Sequence, residues 1–84
     1  MKYCMITFRS VTPAQRAEGL LRKMGVGCSL QRTPRWMQQQ GCGYSLRLRH
    51  ADAVGAVAIL RENQVPFRKV YLQTQDTVVE ELEL

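Results

Sequence analysis

The sequence is poor in the residues on which metal centres and disulfide frameworks depend. It has a single histidine and three widely separated cysteines, Cys4, Cys28 and Cys42. A structural zinc site uses closely spaced ligand pairs, so we expect no bound metal. An odd number of scattered cysteines also differs from the even, regularly spaced set of a small secreted protein. Only three carboxylates precede residue 74, too few and too scattered for paired acid–base catalysis.

Long apolar segments are missing as well. No run approaches the roughly 18–20 apolar residues that a membrane-spanning helix needs. The N-terminus starts directly in a strand-like alternation and lacks the apolar segment and cleavage site of a signal peptide. We therefore expect a cytosolic (cytoplasmic) protein, and its 84 residues predict one domain.

Charge is distributed unevenly along the chain. All 12 lysines and arginines lie before residue 74, whereas the last eleven residues contain four carboxylates and no basic side chain. A basic body is compatible with nucleic acid, an anionic ligand or an acidic partner protein. The acidic end weakens the nucleic-acid interpretation, because it would compete for the same surface.

The hydrophobic periodicity predicts six elements before the acidic end. The helices and strands are bounded by turn residues and caps, including Thr12 as N-cap of the first helix, Gly25 after it and Asn63 after the second. The predicted elements are strand Lys2–Arg9, helix Thr12–Met24, strand Val26–Arg32, strand Tyr44–Arg49, helix Ala51–Glu62 and strand Phe67–Leu72. This βαββαβ order predicts an α+β, ferredoxin-like sandwich with a four-stranded antiparallel sheet and two helices on one face.

The same periodicity predicts which side chains are buried. In the second helix these are Ala53, Val54, Val57, Ala58 and Leu60. In the third strand, Ser45 and the arginines that follow it at alternate positions should point outward.

The acidic segment 74–84 is expected to be a tail on a domain formed by residues 1–73. Val78, Val79, Leu82 and Leu84 follow Asp76 at a helical spacing, which predicts a short docked helix. The alternatives are that the tail is disordered or that it covers a neighbouring subunit of a homodimer.

The predicted loop Thr33–Gly43 holds the one candidate reactive centre. Cys42 stands between Gly41 and Gly43, where no neighbouring Cβ atom shields its thiol. The glycines also allow backbone N–H groups to converge on an anion. Arg32 and Arg35 could fold back toward this point, and cations beside a thiol stabilise the nucleophilic thiolate.

A purely structural interpretation of these residues stays open. Gly41 and Gly43 could serve only to make a tight turn into the third strand, with Cys42 as a small buried side chain, as free cysteines often are. Cys4 and Cys28 occupy inward strand positions, where core packing is the expected role.

The loop and its flanks resemble a known family. The combination that carries the resemblance is Thr33-Pro34-Arg35 followed by Gly41-Cys42-Gly43 and an apolar strand, with Gly25-Val26 before it and the segment from Asn63 to Phe67 after it. On these residues the chain resembles the Se/S carrier protein-like family over about residues 3–72. The family is a small bacterial domain of unknown function, which is also found fused behind a TusA-like domain. The Trp36-Met37 pair and the three glutamines before Gly41 depart from its usual small residues.

The resemblance implies that Cys42 carries sulfur or selenium as a persulfide or selenopersulfide, with Arg35 beside it. Binding roles are then expected for Arg32, Thr33, Gly41 and Gly43. The partners would be protein donors and acceptors of sulfur or selenium, no cofactor is expected, and the chain would act as a carrier more than as an enzyme.

Two other functions remain open from the residues alone. In the first, Arg32, Arg35 and the glycines bind a small anion, or the domain docks a protein, and Cys42 is a bystander. In the second, the open face of the sheet binds RNA. The strands lack the interleaved aromatic residues of an RNA-recognition sheet, so we rank RNA binding last.

Overall fold

The computed structural model describes residues 2–33, 43–73 and 79–82. Its elements are β1 (Tyr3–Phe8), α1 (Val11–Lys23), β2 (Cys28–Arg32), β3 (Tyr44–Arg49), a 3₁₀ turn (His50–Asp52), α2 (Ala53–Glu62), β4 (Val70–Gln73) and β5 (Val79–Leu82). Within this described part of the chain, no helix has the length and apolar character required to cross a membrane.

The five strands form one antiparallel sheet in the order β2-β3-β1-β4-β5. β1 is central and pairs with β3 on one side, where Phe8 is opposite Tyr44, and with β4 on the other. The α+β class and the βαββαβ order of the first six regular elements agree with the prediction. The predicted count of four strands was wrong, because the described residues form five.

The two helices share one core with the sheet. Cys4, Ile6 and Phe8 alternate along β1 and are fully buried. They form one cluster with side chains of both helices and of β3, among them Ala14, Ala17, Leu21, Leu46, Leu48, Val57 and Leu60. The period of two in the strands and of three to four in the helices therefore brings one face of each element into the same apolar layer.

Helix α1 starts slightly earlier than predicted. Ser10, not Thr12, is the N-cap residue, with extended backbone angles. The helix ends as expected, because Gly25 adopts a positive φ of 84°, a conformation that glycine takes at little cost. The amide of Val26 then bonds to the carbonyl of Leu21 at 2.8 Å and turns the chain toward β2.

Helix α2 has a different buried face from the one predicted. The 3₁₀ turn occupies its expected first residues, and α2 then buries Ala53, Ala56, Val57 and Leu60, the i, i+3, i+4, i+7 set of one helix face. Val54 is 69% exposed and Ala58 is also exposed. The error arose because alanine and valine occur on all faces of this helix. Hydrophobicity alone therefore did not define which face is buried.

The face of the sheet opposite the helices is partly buried. Met5, Thr7 and Ser45 lie on it and are almost completely covered, whereas Arg47 and Arg49 are exposed as predicted. The prediction of an outward Ser45 was right for the face but wrong for its exposure. Its Oγ has no hydrogen-bond partner among the described residues.

The acidic end contributes a strand, so the predicted docked helix was wrong. β5 pairs antiparallel with β4, with Tyr71 opposite Glu81 and Val70 opposite Leu82. Lys69 Nζ lies 2.9 Å from Glu81 Oε1. The unpaired backbone edge of β4 offers hydrogen-bond partners to a further strand, and β-branched valines favour a strand.

β4 is shorter than predicted because the chain before it departs from a regular ladder. Arg68 N–H donates to the Thr7 carbonyl at 2.8 Å, and Thr7 N–H donates to the Lys69 carbonyl at 2.8 Å. Lys69 N–H also donates to Thr7 Oγ1 at 3.1 Å. Two residues thus oppose one, the arrangement of a β-bulge.

Candidate functional site

The two ends of the predicted reactive loop are joined in the structure. Thr33 N–H donates to the Gly43 carbonyl at 3.1 Å, and the preceding pair in the β2–β3 ladder is Arg32 opposite Tyr44. Of the six predicted site residues, the structure therefore brings together Arg32, Thr33 and Gly43. The other three, Arg35, Gly41 and Cys42, lie outside the described residues.

Each described loop residue has a defined local setting. The Arg32 guanidinium carbon lies 5.9 Å from the centroid of the Tyr44 ring, within the range of a cation–π contact. Thr33 is buried and Gly43 is half-buried. A Cβ built on Gly43 would meet no atom of the described residues within 4 Å, so crowding by these residues does not explain a glycine at this position.

Strand order places further basic residues at the same end of the strands. Because Phe8 is opposite Tyr44, the chain leaves β1 at Arg9 and Ser10 beside the point where Gly43 leads into β3. The β-bulge opposite Thr7 places Arg68 at this end of the strands too. We call this end of the sheet, which contains Arg9, Arg32, Gly43 and Arg68, the loop end.

Sequence reasoning missed Arg9 and Arg68. The available signal was the sequence Phe8-Arg9-Ser10 between a strand and a helix, since a strand end followed by a helix N-terminus is a recurrent anion-binding arrangement. Arg68 gave no such signal, because its position depends on how β4 pairs with β1.

The two described cysteines lie toward the opposite end of the strands. We call this the far end of the sheet; it contains Tyr3, Cys28, Arg47 and Arg49. Both Cys4 and Cys28 are opposite Leu48, on its two sides. Burial raises the pKa of Cys4 to about 11. Burial also raises the pKa of Cys28, and the neighbouring Arg22 only partly opposes this effect. Both are therefore protonated, weakly nucleophilic thiols at neutral pH.

Other reactive combinations are scarce in what the structure describes. No group of three or more histidine, cysteine, aspartate or glutamate side chains comes together among residues 2–33, 43–73 and 79–82. His50 is exposed in the 3₁₀ turn.

A comparison with protein families assigns the chain. The sequence model of the family described as "Putative Se/S carrier protein-like" matches residues 3–72. The chain belongs to this family. The resemblance predicted from the loop is confirmed, and the match runs from the first residue of β1 into β4. No curated protein and no solved structure matches this Se/S carrier-like chain.

The matched range also separates two parts of the Se/S carrier-like chain. It includes both helices, β1 to β3 and the whole loop, but it ends before β5. The strand formed by the acidic end is therefore outside the part that the family defines.

Proposed function

We propose that this protein carries sulfur or selenium on Cys42, as a persulfide or selenopersulfide. The observation that carries the proposal is the bond between Thr33 N–H and the Gly43 carbonyl. It closes the loop whose sequence holds Cys42 between two glycines. Family membership supports the same cargo. The two described cysteines are free thiols, which suits a reducing, cytoplasmic location.

Charge at the loop end supports a reactive thiolate. Arg32 lies at one end of the closed loop, and Arg9 flanks the strand beside Gly43. A positive potential favours the ionised form of a thiol and attracts an anionic donor. Arg35, next but one after Thr33 in sequence, is the residue we expect to act most directly on Cys42.

The transfer requires no external oxidant. The Cys42 thiolate attacks the terminal sulfur of a donor protein persulfide, R–S–SH; a new S–S bond forms and the donor leaves as R–S⁻. An acceptor nucleophile then attacks the terminal sulfur of Cys42–S–SH, which releases the Cys42 thiolate. With a selenopersulfide, selenium replaces the terminal sulfur in both steps. The partners of such a carrier are one donor and one acceptor protein.

The direct test is intact-mass spectrometry after incubation with a persulfide donor and without reductant. We expect one added sulfur atom, mapped to Cys42 and lost on treatment with a thiol. Cys42→Ser should gain nothing, whereas Cys28→Ser should behave as the parent. Sulfur found equally on Cys28 would contradict the proposal.

A second test concerns the role of charge. Alkylation of Cys42 should have its pH midpoint below about 8.5, the pKa of an ordinary cysteine. Arg35→Ala should raise this midpoint by about one pH unit, and Arg47→Ala, which removes the same charge at the far end, should leave it unchanged. An unshifted profile for the parent protein would reject thiolate activation.

The alternative function is an anion-binding or protein-docking module in which Cys42 has no chemical role. The basic loop end favours it on charge alone. One variant separates the two functions. Cys42→Ser abolishes sulfur transfer by a carrier, whereas it would leave the anion or partner binding of a binding module intact. Retention of all binding, with no sulfur transfer in the parent, would select the alternative.

A further inference from the structure

A cavity of about 630 Å³ opens at the loop end, between the start of α1 and the segment before β4. Three arginines line it, Arg9, Arg16 and Arg68. The described residues that line the cavity include no carboxylate. Its volume falls within the range of small-molecule sites, about 300–1,000 Å³.

The three arginines come from separate parts of the chain. Arg9 follows β1 directly, Arg16 lies in α1, and Arg68 lies in the β-bulge, held by its backbone bond to Thr7. Arg16 donates a 3.4 Å hydrogen bond to the Asn63 carbonyl. In the described part of the chain, neither Arg9 nor Arg68 forms an ion pair with a carboxylate. Like charges that converge without counter-charge repel each other, so this arrangement is best satisfied by an anion.

The start of α1 adds hydrogen-bond donors to the same cavity. Ser10 and Thr12, which both carry hydroxyl groups, line it. Ser10 is the N-cap residue but makes no side-chain capping bond, and no acidic residue occupies the first turn. The first backbone N–H groups of a helix are unpaired within it and carry a partial positive charge. They supplement the guanidinium groups.

Part of the cavity lining is apolar. Pro13, Pro66 and Phe67 line it, and Phe67 is half-buried against the core. The Arg61 guanidinium carbon lies 5.8 Å from the centroid of the Phe67 ring. A ligand that was only an inorganic ion would leave this apolar lining unused.

We propose that the cavity binds a small organic phosphate. The phosphate group contacts Arg9, Arg68 and the start of α1, and its apolar body lies against Pro66 and Phe67. A phosphate dianion matches several guanidinium and N–H donors better than a single carboxylate does, because it presents more acceptor oxygens and more charge. No cysteine is among the described residues that line the cavity, and the proposal does not rest on carrier chemistry.

The test is an NMR titration of the full-length Cys42→Ser protein, so that its outcome is independent of sulfur transfer. The probes are phenyl phosphate, inorganic phosphate and benzyl alcohol, each at millimolar concentration. Phenyl phosphate should shift the amide resonances of Ser10, Thr12 and Arg68 and bind more tightly than inorganic phosphate. Benzyl alcohol, which lacks the anion, should give no saturable shift.

Matched substitutions identify the contacts. Arg9→Gln and Arg68→Gln should each weaken phenyl phosphate binding about tenfold, the effect of losing one charge-assisted hydrogen bond. Arg47→Gln makes the same change at the far end and should have little effect. Phe67→Leu, which keeps a core side chain, should weaken phenyl phosphate roughly threefold and leave inorganic phosphate unchanged.

Three results would overturn the proposal. One is the absence of saturable shifts with phenyl phosphate. Another is an equal loss of affinity in Arg47→Gln, which would mean diffuse attraction by net charge. The third is inorganic phosphate binding as tightly as phenyl phosphate, which would remove the organic body from the assignment.

Discussion

The two ends of the sheet both carry arginines, but they use them differently. At the far end, Arg49 Nε lies 3.4 Å from Asp52 Oδ2. The Arg47 guanidinium carbon lies 3.8 Å from the centroid of the Tyr3 ring. These charges have partners within the protein.

Arg22, which bonds to a residue of the far end, follows the same rule. Its guanidinium group donates to the Cys28 carbonyl at 3.0 Å and lies 3.6 Å from Glu18 Oε2. At the loop end, by contrast, Arg9 and Arg68 lack a carboxylate partner in the described part of the chain. The comparison teaches that total charge says little about binding, and that the partners of each charge decide whether it is available to a ligand.

The largest expected difference between the ends is cysteine reactivity. In the native protein at pH 7, iodoacetamide should label Cys42 first, Cys28 more slowly and Cys4 only after unfolding. A pKa raised from 9.0 to about 11 lowers the thiolate fraction of Cys4 by about 100-fold, and burial adds steric protection. Peptide mass spectrometry over time measures the order. Faster labelling of Cys28 than of Cys42 would break the comparison.

The raised pKa of Cys4 also predicts a loss of stability in alkali. The unfolded chain ionises this thiol near pH 9, whereas the folded protein keeps it protonated up to about pH 11. The folded state therefore binds the extra proton, and its stability falls as pH rises from 9 to 11, by about 2–3 kcal/mol.

Cys4→Val is the matched control for this effect, because it fills nearly the same volume and does not ionise. Urea unfolding at pH 8 and at pH 11 should show a smaller decrease for Cys4→Val than for the parent. Equal decreases would mean that other groups account for the alkaline effect.

Removing one arginine from each end gives a smaller effect on stability. Arg49→Gln should lower the free energy of unfolding by about 0.5 kcal/mol, since it loses the pair with Asp52. Arg68→Gln should leave it unchanged or raise it slightly, because repulsion at the loop end is relieved. Urea unfolding in buffer free of phosphate measures both. A larger loss for Arg68→Gln would show that this charge has a structural partner.

The smallest expected effect concerns β5. Glu81→Gln removes the contact with Lys69, a partly exposed ion pair. In the parent protein, the hydrogen bond and the charge of Glu81 raise the pKa of Lys69. We expect faster hydrogen exchange at the β4–β5 ladder and no change in the exchange of β1. Glu62→Gln, at the end of α2, serves as the control with the same loss of charge. Faster exchange throughout the sheet would mean that β5 supports the whole fold.

Local signals in the sequence predicted much of the framework. β3 was predicted with its observed bounds, because apolar and polar residues alternate from Tyr44 to Arg49 in the period of a strand. Gly25 and Asn63 were placed correctly at helix ends, since each satisfies a local backbone requirement. Asn63 also donates its side-chain amide to the Ile59 carbonyl at 2.8 Å.

The errors came where the outcome depends on distant contacts. Val54 and Ala56 are both apolar, and only packing on the sheet decides that the second is buried. The acidic end has a helical spacing, and only the open edge of β4 turns it into a strand. For the candidate site, sequence reasoning named Arg32, Thr33 and Gly43, but not Arg9 or Arg68, which strand order brings to the same edge. Cys42 and Arg35 stay predictions.

The bond between Thr33 and Gly43 has a consequence for how such a protein can diversify. It fastens the framework on both sides of a nine-residue insert, so the insert can change in length or composition while the strands keep their register. The entropy of closing a chain segment grows slowly, by about 0.6 kcal/mol for each doubling of its length. Changes within the insert therefore carry little thermodynamic risk to the scaffold.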